Sequence, residues 1–448
     1  MKVGIIGAGA AGLAAAHNLV KAGHTAVVYE GAPFLGGQAS TFDVGGGRLE
    51  RGYHHLFTSD TDIVDLIHEL GLGPKLAWIQ SKVGIFHGGE IYNFVTPLDL
   101  LRFTPLSLVD RLRLGLVTLL VRRMKDWRKL EGFVASDWVR RYAGRGVYDV
   151  VWGPLLRGKF GAHYDKVGMP WFWGKIQTRF ASRGKGLRGM QRERLGYPMG
   201  SFAEIFEVLA DRINSLGGEV HLSTPVRSIA VTDGRATGLE IQSEKGGSSS
   251  EDFDAIISTT PSYVFPRLVP SLPQDYLEKL SGVDYLAAVL VILVLKEPFS
   301  HIYWLNIADS EIPFVGLIEQ TNFVDPSLYG GKHILYISNY LGDDSPLFNM
   351  DKEELLEEYI PHLKKINPKF DRSWIEEFYH HKVAAAQPII GVNYSQQIPD
   401  HRTPIGGLYL ANTTQIYPED RGTNYSVRMG KNVADMIMAD YANNPQAS

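Results

Sequence analysis

Cysteine is absent from all 448 residues, which excludes disulfides, thiolate metal sites, a cysteine nucleophile and any flavin tethered through sulfur. Long apolar runs are missing too. A bilayer-spanning helix needs ~20 apolar residues, and the longest candidates, Leu114–Val121 and Tyr285–Leu295, read instead as a buried helix face and a buried strand. No secretory leader is recognised, because Met1 is followed at once by the strand-like run Lys2–Ile6. No metal is expected: His163, His362 and the pair His380-His381 match no compact ligand spacing. Internal repeats are absent, and only the tail Asn443–Ser448 reads as disordered. The simplest expectation is a cytoplasmic enzyme, at most peripheral to the inner face of the membrane.

What is present is enough chain for two domains, with 44% hydrophobic and 21% charged residues, as in an ordinary globular protein. The net charge of −4 conceals an asymmetry: residues 101–200 carry 21 Lys+Arg against 7 Asp+Glu, and the remainder 24 against 42. Such a field concentrates anions, whether substrate or membrane surface; basic side chains snorkelling over apolar neighbours produce the same count.

The opening residues are the most specific. Lys2–Gly7 reads as a buried strand, Gly7-Ala-Gly9-Ala10-Ala11-Gly12 follows, and a helix pattern runs from Leu13 to about Lys21. A turn at Ala22–His24 leads to a second strand, Thr25–Tyr29, ending at Glu30. Gly7 permits a tight strand-to-helix turn, Gly9 lets backbone approach a pyrophosphate, and Gly12 lets the helix pack on the sheet. The helix N-terminus adds free amides and a positive dipole. Glu30, 18 residues past Gly12, reaches a ribose diol and disfavours a 2′-phosphate. A dinucleotide other than NADP is the occupant these residues imply, with Gly31 at the end of the second strand. Gly36-Gly37-Gln38 then supplies a second glycine pair, which suits close passage past the ribityl-phosphate arm of FAD and has no counterpart need in a nicotinamide domain; Gly-Gly pairs are also common turns.

Together these segments resemble the amine oxidase, protoporphyrinogen oxidase and phytoene desaturase superfamily of flavoproteins, and the likeness recurs along almost the whole chain. Leu49-Glu-Arg-Gly52-Tyr53-His54-His55 is similar to the segment beneath the isoalloxazine ring. Tyr197–Ser201 resembles the entry to a long helix, and Gly217–Val226 the strand whose valine meets adenine. Asp254–Pro261, through Thr260 and Pro261, resembles the return to the cofactor; Gly407–Asn412 resembles the last flavin-domain strand. Arg421-Gly-Thr-Asn-Tyr425-Ser426 begins a final helix with Val427, Val433, Met436 and Ile437 on one face. Its start would aim amides at the ring and favour an anionic reduced flavin.

The resemblance implies FAD as cofactor and an α/β fold: a discontinuous Rossmann-like FAD-binding domain (1–73, 200–270, 402–442) with a second α+β substrate domain (74–199, 271–401). The helical part of the latter is 98–196, with helices at Leu98–Leu101, Leu106–Lys125, Trp138–Ala143 and Val147–Leu156. Its sheet part, 284–340, has strands at Asp284–Phe299, Phe314–Glu319 and Lys332–Tyr340, and Asp351–Ile366 is an amphipathic helix. Gly246–Ser250 is expected to turn a hairpin between strands Thr237–Gln242 and Phe253–Thr259. Two departures stand out. Asn412 occupies a position where the family usually has Asp, and no lysine precedes Lys296 in Tyr285–Phe299 where amine oxidases place one. Desaturation or alcohol oxidation is therefore expected ahead of amine oxidation.

His54 and His55 are the candidate catalytic residues, as imidazoles near neutral pKa accepting a proton while hydride leaves carbon; packing against the cofactor edge is the competing role. Trp152, Tyr164, Trp171, Phe172 and Trp173 line a substrate tunnel or simply fill the core. Arg179–Arg194 is an anion-binding loop or a plain linker. Arg111–Lys129 reads as a basic amphipathic helix with Leu112, Leu116, Leu119 and Leu120 on one side. The expected partners are a small-molecule substrate, anionic or lipid-like, and a peripheral membrane surface, not nucleic acid. Two other readings share the fold: a UDP-galactopyranose mutase-like flavoenzyme acting on a nucleotide sugar, and a non-catalytic protein like the GDP-dissociation inhibitors. The intact Gly7–Gly12 fingerprint with Glu30 argues against the last.

Overall fold

The run Lys2–Ile6 forms the middle strand of a parallel sheet because it can be buried on both faces. The computed structural model describes residues 1–181, 193–242, 247–342 and 344–443. Among these, the sheet has five strands in the order Glu219–His221, Thr25–Tyr29, Lys2–Ile6, Ala255–Ser258, Leu408–Leu410, all parallel. Val3, Ile5, Ala26, Val28 and Ile257 face the helices of the main core. Ile6, Val27, Tyr29, Ile256 and Leu410 face a separate core under the antiparallel strands Val226–Thr232, Arg235–Gln242 and Ser248–Asp252. That hairpin corrects the expected one. Ser248–Asp252 is itself the partner of Arg235–Gln242, whereas Ala255–Ser258 has joined the parallel sheet. The turn residue Gly246, most of Arg179–Arg194 and the tail beyond Asn443 lie outside the described residues.

Helix Ala10–Lys21 starts three residues before the expected Leu13, with Gly9 as its N-cap. The final helix, Thr423–Asn443, lies across it and buries Val427, Met429, Gly430, Val433, Ala434 and Ile437; Met436 is only partly buried.

The second sheet has seven strands among the described residues: Ile375–Pro388, Tyr285–Leu295, His333–Leu341, Gly316–Glu319, Trp304–Ile307, Val83–His87 and Glu90–Asn93. Tyr285–Leu295 is an unbroken apolar run because both faces are covered. Leu286, Ala288, Leu290, Ile292 and Val294 face the main core, and Val289, Val291, Leu293 and Leu295 face a second core shared with helix Lys352–Ile366, capped by Asp351. In the neighbouring strand Tyr336 and Tyr340 belong to the first face. The expected helix Val147–Leu156 is instead Arg145–Val147, a π turn Tyr148–Trp152, and Gly153–Phe160. Pro154 has no N–H for an α-type bond to the preceding turn, which favours the wider turn there. Gly158 brings the last of these segments onto the sheet, since a Cβ there would lie 3.1 Å from the Cβ of Val315.

The two helices meet where a side chain would not fit: a Cβ on Gly430 would sit 2.1 Å from the carbonyl oxygen of Ala11 and 3.1 Å from its Cα. Backbone cannot yield as a flexible side chain does. Gly430→Ala is expected to destabilise the protein by about 1–3 kcal/mol, measured as a lower urea midpoint.

Candidate active site

The first turn of Ala10–Lys21 has no side-chain cap and no acidic residue, so its amides are left for an anion. Gly7 takes φ +107°, and a Cβ there would meet Thr259 Oγ1 at 2.3 Å. A Cβ on Gly12 would lie 2.0 Å from the Gly7 carbonyl oxygen. Gly9 is different: only Gly37 Cα, 3.9 Å away, lies within 4 Å of the place its Cβ would occupy. That open space is what a pyrophosphate requires. The Gly36-Gly37 turn, at φ +94° and +57°, is fixed to the same loop by Gly36 N–H donating to Ala8 O at 3.0 Å. Glu30 accepts from the amides of Ala8 and Ala32, each at 2.9 Å, one per oxygen, which leaves further lone pairs for a ribose diol. Gly31 packs on Pro225, 3.5 Å from where its Cβ would be, beside Val226 at the start of its strand. The residues present thus fit FAD.

Gly52-Tyr53-His54-His55 follows strand Gly47–Glu50. His54 Nδ1 lies 2.6 Å from Gly52 O; a carbonyl only accepts, so Nδ1 carries the proton and Nε2 is an acceptor. His55 Nδ1 pairs with Tyr303 OH at 3.0 Å. Burial, with Arg421 beside it, lowers His54 to about 4; burial, then Arg179, His54 and Lys175, lowers His55 to about 3. The expected near-neutral imidazoles are therefore corrected: both are neutral at pH 7, with weak affinity for a further proton.

Tyr53 leads into a group of charges that sequence reasoning missed. Its hydroxyl is 3.2 Å from Ser338 Oγ and 3.3 Å from Tyr340 OH. Arg421 donates to Gln38 Oε1 at 3.0 Å, Gln387 Oε1 at 3.2 Å and Tyr340 OH at 3.4 Å, while Gln38 Nε2 donates to Ala385 O. The Lys159 ammonium stands 4.4 Å from the centre of the Tyr340 ring. Asp420 joins Lys175 at 2.5 Å and Lys159 at 3.6 Å and accepts from Trp171 Nε1 at 3.0 Å. Burial opposes the charge on Asp420, but Lys159, Lys175 and Arg421 hold it well below the usual carboxylate range. Trp171 and Phe172 are buried, while Trp152, Tyr164 and Trp173 are only partly so. The one sequence signal for this group was the basic excess of residues 101–200, which contains Lys159 and Lys175.

The return segments are tied to each other. Asn412 Nδ2 donates to Thr260 O at 2.9 Å and Ser262 Oγ at 3.2 Å, and Oδ1 accepts from Thr414 N and Oγ1. A carboxylate cannot donate to the Thr260 carbonyl, which gives the amide a local reason. Pro261 follows as the strand leaves the sheet. Tyr425 and Ser426 lie in the first turn of the final helix, with Ser426 N–H bonded to Gly422 O at 3.0 Å. Asn424, also missed, accepts from Ile63 N at 3.1 Å. His380 and His381 lie on strand Ile375–Pro388.

Glu50 anchors the segment that leads to Gly52-Tyr53-His54-His55. It is 0% exposed, accepts from Tyr197 OH at 2.9 and 3.1 Å and Phe202 N at 3.0 Å, and its own carbonyl accepts from Tyr336 OH at 2.7 Å. Burial outweighs those bonds and pushes its carboxyl from 4.5 up to about 7. Folding therefore favours the protonated form. Its contribution is full below the unfolded value and is lost as pH rises through about 7, a change of about 3 kcal/mol. Glu50→Gln is expected to flatten that loss, so that urea midpoints of variant and wild type converge near pH 5 and separate above pH 7 in the variant's favour.

The family described as flavin containing amine oxidoreductase matches residues 10–438. A "Probable zeta-carotene desaturase" of Synechococcus elongatus is 29% identical over 272 residues, 54% of each chain; the chain thus spans about half the length of that relative. The 15-cis-phytoene desaturase of Arabidopsis thaliana is 23% identical over 475 residues, 98% of this chain and 80% of that one. Among solved structures, an oxidoreductase from Methanosarcina mazei superposes with a TM-score of 0.75 at 20% identity, covering 98% of this chain and 100% of that one. Reduced UDP-galactopyranose mutase superposes with 0.76 at 15% identity over 98% and 95%, a likeness of fold alone. The chain belongs to the flavin containing amine oxidoreductase family, and FAD is its cofactor.

Proposed function

We propose that the protein desaturates a long apolar substrate drawn from a membrane surface, with FAD held by the parallel-sheet region (1–73, 200–270, 402–442) and substrate by the remainder. One observation carries this: helix Leu108–Arg123 turns its larger apolar side outward. Only Leu114 and Val121 are buried, whereas Leu108, Leu112, Leu116, Leu119 and Leu120 are 45–68% exposed, and Val109 72%. Leu98 and Leu101 of the adjoining helix Pro97–Arg102 are about half exposed as well. A ridge of that size in water is unfavourable unless something covers it. Its helix ends in Arg122 and Arg123, and Lys125 follows, so the surface pairs apolar insertion with attraction to anionic headgroups. The helix is shorter than the expected Arg111–Lys129; Met124 is extended and Trp127–Leu130 is a separate short turn. No helix among the described residues is long and apolar enough to cross a membrane.

The names of the two relatives, a probable zeta-carotene desaturase and a 15-cis-phytoene desaturase, support the same substrate class. FAD supplies the hydride-accepting chemistry when bound. The cradle, through Gly7, Gly9, Ala10, Ala11, Gly12, Glu30 and Gly31, would hold its adenosine and pyrophosphate, with Val226 toward adenine. Gly36, Gly37, Gln38, Thr260, Pro261, Asn412, Tyr425 and Ser426 would frame the remaining arm. Gly52, Tyr53, His54 and His55 would form the floor of the ring site, the two imidazoles fixing its shape as neutral hydrogen-bonding groups. The absence of lysine from Tyr285–Leu295 leaves that strand apolar, which suits a hydrocarbon better than a charged amine.

Two measurements test this. Flotation with anionic liposomes should recover the wild type and lose Leu112→Ser/Leu116→Ser. Charge reversal at Arg122, Arg123 and Lys125 should abolish flotation at low salt, and unchanged flotation of both variants would remove the membrane from the proposal. Anaerobic FAD-loaded protein should bleach when given a polyene hydrocarbon in those liposomes and stay oxidised with a primary amine.

A further inference from the structure

A desaturation removes a hydride from one carbon and a proton from its neighbour, so the protein needs a proton acceptor on the substrate side. The histidine pair is poorly suited, since burial has taken its basicity away. We infer, resting on the desaturation reading above, that Tyr340 is that acceptor, with Lys159 and Arg421 as the positioning residues that hold its oxygen ready.

The geometry supports this from every side. Tyr340 lies on the sheet strand His333–Leu341, on the face turned toward the flavin segments. From the loop under the ring site, Tyr53 brings its hydroxyl to 3.3 Å. From the segment before the final helix, Arg421 Nη2 donates at 3.4 Å. From the end of helix Gly153–Phe160, Lys159 sits over the ring at 4.4 Å. The opposing charge is Asp420, which is already shared between Lys159 and Lys175. Three cations thus surround one carboxylate, and an anionic oxygen at Tyr340 would offset part of the excess. Burial resists ionisation of Tyr340, yet Lys159, Arg421 and the Tyr53 hydroxyl bring it down to about 7. Tyr53 moves the opposite way: burial and Tyr340 raise it well above the ordinary value. It therefore remains a donor beside an ionised neighbour.

The step balances. The C–H bond beside the departing hydride breaks, its electron pair becomes the new C=C bond, and the proton goes to the phenolate oxygen of Tyr340. The hydride, with its two electrons, would go to FAD when it is bound, the oxidant that the flavin containing family implies. The phenol returns its proton to solvent before the next turnover.

The decisive readout needs no substrate. In FAD-loaded protein carrying [13Cζ]tyrosine, one of the 21 tyrosines should titrate near pH 7. That signal should be missing in Tyr340→Phe and should shift upward by about one unit or more in Lys159→Met. If no tyrosine titrates below about pH 9, or if the signal survives in Tyr340→Phe, Tyr340 is not the acceptor. In anaerobic single turnovers with a polyene, the wild-type rate should rise with pH through about 7 as the phenolate forms. Tyr340→Phe should be about 10²–10⁴-fold slower, and Lys159→Met should move the rise to higher pH. A Tyr340→Phe rate equal to wild type would overturn the assignment even with the titration present. A wild type that shows the titration but is never reduced by a polyene would instead overturn the desaturation reading.

Discussion

The close approach of three backbone segments around the first turn of helix Ala10–Lys21 is the constraint on which the rest depends. Gly12 lies against Gly7 and Gly430 against Ala11, each at distances a side chain would block, and a Cβ on Gly37 would come within 3.3 Å of Gly9 Cα. Those contacts come from the beginning, the early loops and the end of the chain. A phosphate-binding turn needs free amides, and free amides need surroundings without side chains that would occupy them. The first and last helices are locked together by the same requirement, so the position of Thr423–Asn443 against Ala10–Lys21 follows from the cradle.

A second constraint follows from burial of charge. The sheet that faces the cradle is apolar along Tyr285–Leu295 and carries its polar atoms on the neighbouring strand, at Tyr336, Ser338 and Tyr340. Each of these is satisfied across the gap: Tyr336 donates to Glu50 O, and Ser338 and Tyr340 meet Tyr53. The polar stripe therefore ties this sheet to the segment Glu50–Tyr53. Glu50 sits where these contacts converge with the entry to helix Ser201–Ser215, which accounts for a carboxyl in a wholly buried position.

Legibility from sequence tracks how local each feature is. Lys2–Ile6 and Thr25–Tyr29 could be read to the residue, since apolar runs bounded by glycine and a turn leave little choice. Tyr285–Leu295 was legible from its unbroken hydrophobicity. Strand Ile375–Pro388 was not: it is an edge strand whose first ten residues, with Glu376, Glu377 and Lys382, are charged in part and not buried, as edges commonly are. Ser248–Asp252 was missed because serine is a turn signal, and only its pairing with Arg235–Gln242 makes it a strand. In the candidate site, the cradle lies within a few short motifs. Tyr340, Lys159, Asp420 and Arg421 come from three distant segments and carry no spacing. Asn412 shows the opposite error, since a departure noted against a family pattern is explained by the carbonyl it must bond.

The two kinds of candidate base also differ for a physical reason that sequence cannot supply. Protonating a histidine creates a cation, so both desolvation and neighbouring cations oppose it; His54 and His55 experience both. Deprotonating a tyrosine creates an anion, so desolvation and cations oppose each other, and the outcome depends on how close the cations stand. Lys159 and Arg421 are close enough at Tyr340 to decide it, whereas Tyr53, buried beside a competing phenol, goes the other way. In a dry site with excess positive charge, a base working near neutral pH is therefore an anionic one. The basic residues of 101–200, read first as a surface field, act here at short range through Lys159 and Lys175, while Arg122 and Arg123 remain at the exposed end of their helix.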